Sequence, residues 1–393
     1  MVDVSKIRRA LEVNEGVLRL APCWVPRIAQ IPGRRLRLDP RDLYACGAHR
    51  GGINERWFAS TTHANNGPGT PPEEGLSFVA LGDDRILLKD IIDTMGDELL
   101  GEEVMRRQGG WNVLCKFFDN YGAIPHHMHQ SDEHAKLVGQ RGKTESYYFP
   151  PQYNLTLNSF PYTFMGFDPG TTRSDVIRCL ENWGNGDNGI LYLSRAYKLE
   201  VGSTWHVDTG ILHAPGSLVT YETQVNSDVL SYFQSMLDGR IFPWDMVVRD
   251  VPPEFHHDLD FIVGMLDWEA NVDPEFALHR RGHPQPVKDL AEMADAGYCE
   301  KQLALAKGRY SSTELTVYPG CSVVIRDQAA YGLIVVQGFG SVANSDVATP
   351  SVIRYGEMTR DELFVTASAA LQGVRVTNRS DNENLVILKH FGP

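Results

Sequence analysis

Short runs of β-branched and aromatic residues, separated by glycine, proline, asparagine and aspartate, recur along most of the 393-residue chain. No other feature of the sequence constrains the fold as strongly. Such runs are typical of short strands joined by turns, and residues 189–193 are one example. Ten or more of these runs fall into two groups along the chain. The sequence therefore predicts a mainly β protein made of two sandwiches or barrels.

Helical spacing of apolar residues is confined to a few stretches. It occurs at residues 86–108 and again at residues 172–183, where Thr172 stands at the N-cap position. Five prolines then interrupt residues 251–310, and residues 290–308 favour a helical hairpin or one extended helix. The predicted organisation has three parts: an N-terminal domain over 1–250 that carries the first two helical stretches, a proline-rich and helical connector over 251–310, and a C-terminal barrel over 311–393.

The charge balance bears on the partners of the chain. Its 37 basic and 50 acidic side chains give a formal charge of −13, which disfavours contact with nucleic acid and anionic lipid. No stretch approaches the roughly 18 apolar residues of a membrane span, and the six cysteines form no C-x-x-C pair. We expect a cytoplasmic protein with free thiols, no membrane partner and no nucleic acid partner, while homo-oligomerisation is left open.

Histidines are concentrated in one part of the chain, with six of the thirteen between residues 126 and 213. On a strand, the two outer histidines of the run His-Met-His at residues 127–129 point to the same face, as two ligands of one ion would. A carboxylate at the start of the next strand and a histidine after the turn at Gly210 complete a set that suits zinc, iron or manganese. The predicted metal ligands are His127, His129, Glu145 and His213.

The motifs around these residues resemble those of a known family. Residues 127–135 (HMHQSDEHA) and 142–148 (GKTESYY) resemble the first metal motif of type I mannose-6-phosphate isomerases, which are cupin enzymes. Residues 202–216 (GSTWHVDTGILHAPG) resemble the second cupin motif of that family. Two shorter segments, 54–57 (NERW) and 221–228 (YETQVNSD), also match its pattern. The resemblance spans about residues 52 to 228 and reaches the C-terminal barrel only through architecture.

The resemblance implies a fold of two jelly-roll (cupin) barrels with helical segments and a partly helical connector. It also implies a metal-dependent aldose–ketose isomerase that acts on a sugar or sugar phosphate through an enediol. The family's four ligand positions fall on the residues named above, and they imply one divalent ion, zinc first, with iron or manganese as alternatives. No H-x-H or G-x-x-H motif occurs beyond His283, so we expect the C-terminal barrel to be metal-free.

The resemblance and the chemistry together nominate residues for catalysis. Lys143 falls on the family's metal-proximal lysine and is expected to contact the substrate. The general base is left open among Glu222, His206 and Asp208.

Three further residues are predicted to bind substrate. Glu55 and Trp57 are expected to wall the cleft. The family's active-site arginine follows the N-S-D strand, but here Tyr232 or a neighbour takes its place and no arginine occurs before Arg240. Since phosphate is best held by arginine or lysine, mannose 6-phosphate itself is not the expected substrate.

Two other functions fit the same residues. Three histidines and one glutamate also bind iron or manganese in cupin dioxygenases. A cupin without the family arginine could instead bind sugar without turnover.

Overall fold

The protein is mainly β, in agreement with the sequence prediction. We describe a computed structural model that covers residues 2–28, 30–67, 69–154 and 160–393. The helices of these residues are α1 (Val4–Val13), α2 (Leu88–Leu100), α3 (Glu102–Gln108), α4 (Asp132–Lys136), α5 (Arg173–Glu181), α6 (Leu259–Gly264), α7 (Trp268–Asn271), α8 (Phe276–Arg280), α9 (Leu290–Asp295) and α10 (Ala367–Gln372). The strands up to residue 225 are β1 (Val17–Arg19), β2 (Cys23–Arg27), β3 (Gly52–Phe58), β4 (Phe78–Leu81), β5 (Asp84–Leu87), β6 (Val113–Phe118), β7 (His127–Met128), β8 (Glu145–Tyr148), β9 (Tyr162–Phe167), β10 (Ser194–Lys198), β11 (Thr204–Val207), β12 (His213–Ala214) and β13 (Thr220–Val225). The later strands are β14 (Ser231–Tyr232), β15 (Met236–Leu237), β16 (Arg240–Ile241), β17 (Arg281–Gly282), β18 (Gln285–Pro286), β19 (Tyr298–Ala306), β20 (Tyr310–Val317), β21 (Ser322–Ile325), β22 (Tyr331–Gln337), β23 (Phe339–Val342), β24 (Ser345–Ala348), β25 (Glu362–Val365), β26 (Val374–Asn378) and β27 (Leu385–Phe391).

Most strands belong to four antiparallel sheets. Sheet 1 has the order β10-β9-β12-β7-β14, and sheet 2 has the order β17-β11-β8-β13-β6-β3-β2. Sheet 3 follows as β1-β25-β22-β27-β20-β19-β18, and sheet 4 as β21-β26-β23-β24. Two hairpins, β4-β5 and β15-β16, stand apart from them. None of the four sheets closes into a barrel by strand pairing, so the two jelly rolls stay a prediction.

Apolar side chains place the four sheets in face-to-face contact. Phe118 and Tyr147 of sheet 2 share a core with Met165 of sheet 1. A second core joins the other face of sheet 2 to sheet 3, and a third lies between sheets 3 and 4. The outer face of sheet 1 is covered by α5 and α6, since Met128 and Phe167 pack with residues of both helices. The histidine-rich strands therefore lie between a helical cover and sheet 2.

Both predicted helical stretches form helices within the structure. The 86–108 stretch divides at Gly101, whose φ of 89° ends α2 before α3 begins. Thr172 caps α5, and in return the Asp175 carboxylate accepts from the Thr172 backbone N–H, which completes a capping box. The apolar face of α2 packs on β1 and β25, which explains the helical spacing of the apolar residues in this stretch.

Two segments differ from their predicted structure. In residues 290–308 the helix is limited to the short α9. Gly297, which has a φ of 88°, lies just after it, and the chain then continues as β19 and not as a helix. Helix and strand compete in this segment because its apolar spacing suits both, and pairing with β20 decides for the strand. Residues 189–193 contain a 3₁₀ helix over Ile190–Leu193 instead of a strand.

The first strand of the chain belongs to the C-terminal part of the fold. Val17 and Arg19 in β1 pair with Val365 and Leu363 in β25, at the edge of sheet 3. The predicted boundaries at 250 and 310 stay a prediction. None of the described helices has both the length and the apolar character needed to cross a bilayer.

Candidate metal and catalytic site

Three of the predicted ligands come together as a buried histidine cluster on sheet 1. His127 in β7 and His213 in β12 are direct partners in register, so their side chains share one face. The centroids of these two rings lie 4.4 Å apart, and the His129 ring lies 5.0 Å from that of His213. The potential ligand atoms of the three histidines all lie within 4.8 Å of one another. The histidine cluster therefore has the geometry to hold a metal ion.

Backbone carbonyl groups fix the orientation of each ring. Nδ1 of His127 donates to Pro125 O at 2.6 Å, Nδ1 of His129 to Val229 O at 2.7 Å, and Nδ1 of His213 to Ile211 O at 2.8 Å. Because a carbonyl oxygen can only accept, the proton of each neutral ring is on Nδ1 and the lone pair is on Nε2. Holding a ligating imidazole through its other nitrogen is the usual arrangement around a metal.

Glu145, the fourth predicted ligand, reaches the histidine cluster from sheet 2. Its Oε2 lies 3.1 Å from His129 Nε2 and its Oε1 lies 3.0 Å from His213 Nε2. Burial lowers the pKa of the His129 imidazole to about 4, with the Lys143 charge acting in the same direction. Although burial by itself raises the pKa of Glu145, the effects of its neighbours, with the Lys143 charge the largest, outweigh it and hold that pKa well below the ordinary value.

These atoms fit a bound cation. A neutral imidazole Nε2 and a carboxylate oxygen both carry lone pairs, and no proton lies between them. Lys143 Nζ lies 2.9 Å from Glu145 Oε2, but His129 Nε2 and His213 Nε2 are buried and have no hydrogen-bond partner within the described chain. Such a group of unsatisfied acceptors is costly unless a positive centre lies among them. Three nitrogens and one carboxylate oxygen suit a divalent transition-metal ion.

A row of alternating charges continues from Glu145 across sheet 2. Lys143 Nζ lies 2.9 Å from Glu145 Oε2 and 3.7 Å from Glu222 Oε1. Lys116 Nζ lies 3.6 Å from Glu222 Oε1 and 3.6 Å from Glu55 Oε2. All five side chains are buried. Register explains the row, because Lys116 in β6 is the direct partner of Glu222 in β13.

Glu222 differs from the other carboxylates of this row. Burial and the nearby Glu145 charge raise the pKa of Glu222 to about 8, and its Oε1 is buried without a hydrogen-bond partner. Glu55 lies at the other extreme. Burial raises its pKa, but the Arg27 and Lys116 charges more than offset that effect and hold it at about 2. A carboxyl group that titrates near neutral pH is suited to proton transfer.

The predicted wall residues lie at the far end of the row. Trp57 Nε1 donates to Glu55 Oε2 at 2.7 Å, and Arg27 Nε donates to Glu55 Oε1 at 2.8 Å. Tyr232 in β14 pairs in register with His127, and the centroids of their rings are 6.0 Å apart. The structure thus brings Glu55, Trp57 and Tyr232 to the same region as the histidine cluster.

His206 and Asp208 lie apart from this region. His206 pairs in register with Ser146, so it faces sheet 3, whereas Glu145 faces sheet 1. Its Nδ1 is 2.9 Å from Ser146 Oγ, and its Nε2 is 2.8 Å from Asp208 Oδ1. Asp208 also accepts from Arg280 Nη1 at 2.7 Å. Of the three candidates for the general base, Glu222 alone lies in the charged row.

Several charged residues near the cluster were absent from the sequence prediction. Burial raises the pKa of Asp228, but the charges of Arg249 and Arg27 outweigh it and lower that pKa. The same two charges oppose the burial that raises the pKa of Tyr232. Arg249 Nη2 lies 3.2 Å from Asp228 Oδ2. Arginine therefore does occur around Tyr232, but it comes from β2 and from the segment after β16. Lys116 was missed as well. Its position two residues before Phe118 on a predicted strand places both side chains on one face, and this pattern could have indicated it.

Two glycines allow the close approaches that this site needs. Gly210 has a φ of 74°, and a Cβ there would lie 2.6 Å from Asp267 N. A Cβ on Gly142 would lie 2.4 Å from Asp132 N. The predicted tight turn before His213 is confirmed, and the loop before Lys143 passes directly against the start of α4.

Comparison with solved structures finds one fold repeatedly. Mannose 6-phosphate isomerase from Bacillus subtilis aligns over 96% of this chain and 99% of its own, with a TM-score of 0.63 and 16% identity. A variant of phosphomannose isomerase from Salmonella typhimurium aligns over the same shares, with a TM-score of 0.62 and 13% identity. This chain has the fold of the mannose-6-phosphate isomerases.

A third structure of this fold holds metal. It is a mannose 6-phosphate isomerase bound with zinc and yttrium, with a TM-score of 0.60, 13% identity, and coverage of 96% of this chain and 99% of that one. By sequence, no family model and no curated protein matches the chain. The resemblance inferred from the motifs is thus confirmed for the fold.

Proposed function

We propose that the protein is a metal-dependent aldose–ketose isomerase. The observation that carries the proposal is the pair of buried, unpartnered acceptors His129 Nε2 and His213 Nε2 beside Glu145, next to the buried and unpartnered Oε1 of Glu222. The names of the solved structures with this fold support the same reaction class.

The metal would be held by the four predicted ligands, His127, His129, Glu145 and His213. When bound, a divalent ion such as zinc supplies Lewis-acid polarisation of the substrate oxygens. The proposed roles of the remaining residues concern protons and charge.

Glu222 is the proposed general base. Isomerisation takes a proton from C2 of the aldose and returns it to C1, while a hydroxyl proton passes from O2 to O1. Among the carboxylates of the charged row, Glu145 is assigned to the metal and Glu55 is held by Arg27 and Trp57. Glu222 remains, and its two lysine neighbours lie at 3.6 and 3.7 Å, outside hydrogen-bond distance. Its carboxyl group is therefore free to exchange a proton with a substrate carbon.

Lys143 and Lys116 are proposed to donate hydrogen bonds to the substrate oxygens. Negative charge develops on two adjacent oxygens during the reaction, and fixed ammonium groups in a buried site stabilise such charge strongly. Both lysines border Glu222, so they are close to the carbon from which it takes the proton.

The N–H donors of two arginines near the site favour a phosphorylated sugar. Two arginines that the sequence prediction lacked, Arg27 and Arg249, lie near Tyr232. Their charges are matched by Glu55 and Asp228, and each guanidinium keeps further N–H groups for a ligand. We therefore propose a sugar phosphate as the substrate, with the phosphate toward Arg27 and Arg249.

The experiment is an assay of zinc-loaded protein against a panel of aldoses and aldose phosphates in deuterated water. We expect ketose to form from a member of the panel, with deuterium incorporated next to the carbonyl. If no member of the panel gives ketose or takes up deuterium while zinc occupancy is complete, the proposed isomerase activity is contradicted. Sugar binding without turnover would favour the binding protein instead.

A further inference from the structure

A cleft of about 390 Å³ lies on the C-terminal part of the fold, away from the strands that carry the histidine cluster. Residues of α1, β1, β4 and the turn into β24 line it. Two arginines, Arg19 and Arg360, stand in its walls, and we name it the arginine cleft. Arg360 also lines an adjoining cleft of about 430 Å³.

Arg19 is incompletely satisfied. Its Nη2 donates to the backbone oxygen of Asp346 at 2.6 Å. Its Nη1 is shielded from water and has no hydrogen-bond partner in the part of the chain that the structure covers. A buried guanidinium nitrogen without an acceptor is rare in native proteins and often marks an absent ion or water.

Arg360 lies in the same wall and adds a second positive charge. Its side chain is exposed and forms no ion pair or hydrogen bond with any described residue. Burial lowers the pKa of Arg19, and the charge of Arg360 lowers it further. The two guanidinium groups are therefore close enough to repel each other.

The neighbouring carboxylates form their ion pairs with other arginines. The Asp346 carboxylate accepts from Arg379 Nη1 at 2.7 Å. The Asp361 carboxylate is engaged by Arg56, with bonds of 2.8 and 2.9 Å. Both carboxylates are thus paired with other arginines, and neither Arg19 nor Arg360 forms an ion pair with a described residue.

We propose that the arginine cleft binds the phosphate group of a small phosphorylated molecule between Arg19 and Arg360. A phosphate dianion balances two guanidinium groups, and its oxygens accept the paired N–H groups that arginine presents. It would also provide the acceptor that Arg19 Nη1 lacks. The volume of the cleft exceeds that of free phosphate, which favours a phosphate ester. This site is separate from the proposed isomerase site.

The test is a calorimetric titration of the full, zinc-loaded chain with inorganic phosphate and, separately, with glycerol 3-phosphate. Arg360→Gln and Arg19→Lys are the variants, and Arg106→Gln, an exposed arginine of α3, is the matched control. Any phosphate binding at the histidine cluster is common to all four proteins. A difference between the Arg360 and Arg106 variants therefore reports on the arginine cleft alone.

We expect Arg360→Gln to weaken binding by about tenfold or more, and Arg106→Gln to leave it unchanged. Arg19→Lys should weaken it too, because lysine lacks the paired donors. Tungstate, diffused into crystals as a heavy phosphate analogue, should give an anomalous peak between the two arginines. The probe whose binding is weakened more by Arg360→Gln identifies the ligand of the cleft as the ester or as free phosphate. Equal affinities in the Arg360 and Arg106 variants, or no binding of either probe, would overturn the proposal.

Discussion

At the scale of single residues, the decisive contact is between atoms that cannot bond to each other. His213 Nε2 and Glu145 Oε1 are 3.0 Å apart, yet both are acceptors when the ring is neutral. In a buried site of low dielectric, this contact is unfavourable by itself and favourable around a cation. The same reasoning applies to His129 and Glu145.

Substitution of Glu222 tests the choice among the three bases. Glu222→Gln keeps the shape of the side chain but cannot accept the proton, so we expect kcat to fall by at least about 100-fold. His206→Gln should keep kcat close to that of the unchanged protein, because His206 faces sheet 3. Initial rates at equal zinc content measure both effects. A large loss of kcat in the His206 variant with none in the Glu222 variant would contradict the assignment.

Substitution of Arg27 tests the proposed phosphate contact. Arg27→Met should raise KM for a phosphorylated sugar by about tenfold or more and change KM for the free sugar much less. Glu55 keeps Lys116 and Trp57 as partners in this variant, so the row should stay folded. Arg240→Gln, which removes an exposed arginine near β2, is the control. Equal changes in KM for both sugars would argue against a phosphate at Arg27.

The sequence was sufficient to predict the residues of the histidine cluster but not all of their surroundings. Strand alternation pointed to His127 and His129, and the turn at Gly210 and the family motifs pointed to His213, with Glu145 beside the cluster. His206 could not be assigned to a face, because that requires the register between β11 and β8, which pairs Val207 with Glu145. Arg27 was missed because β2 and β14 are distant in the chain, so the effect of its charge on Tyr232 depends on the fold.

At the scale of elements, a local capping signal predicted a helix correctly, whereas apolar spacing alone did not separate helix from strand. The capping box at Thr172 acts within four residues, and it marks the start of α5 in the sequence. The segment after α9 shows the opposite case. Its apolar residues suit a helix or a strand, and only the pairing of β19 with β20 selects the strand.

Removal of the α5 cap should have a measurable effect on stability. Thr172→Ala removes the acceptor for the Asp175 backbone N–H, so we expect a loss of about 1 kcal/mol in the free energy of unfolding. Ser174→Ala, at an exposed position of the same helix, is the matched control and should change little. Urea denaturation measures both. Similar losses in the two variants would show that the capping box does not stabilise α5.

At the scale of the whole molecule, a buried ion cluster joins sheets 2 and 3. Arg56 of β3 binds Asp361 through both terminal nitrogens and lies 3.1 Å from Glu362 of β25. All three side chains are buried. The sequence could not predict this contact, because the packing of one sheet on another depends on side chains from opposite ends of the chain.

This cluster should make stability depend on pH. Burial raises the pKa of Glu362 from 4.5 to about 7 despite the nearby Arg56 charge. Between these values the folded protein holds a proton that the unfolded chain releases, so stability should fall as pH rises from 4.5 to 7, by about 3 kcal/mol at most. Glu362→Gln should remove this part of the pH dependence. Exposed Glu357→Gln should retain it, and identical pH profiles for the two variants in urea denaturation would contradict the assignment.

The most direct test of the account is the zinc content of the purified chain after equilibrium dialysis against buffered zinc. We expect one tightly bound zinc per chain. His213→Gln should bind zinc at least about 100-fold more weakly, because it loses a ligand that the backbone positions. His134→Gln, at a partly exposed histidine outside the cluster, should match the unchanged protein. Zinc binding by the unchanged protein that is no stronger than that of the His213 variant would contradict the metal site on which the proposed isomerase depends.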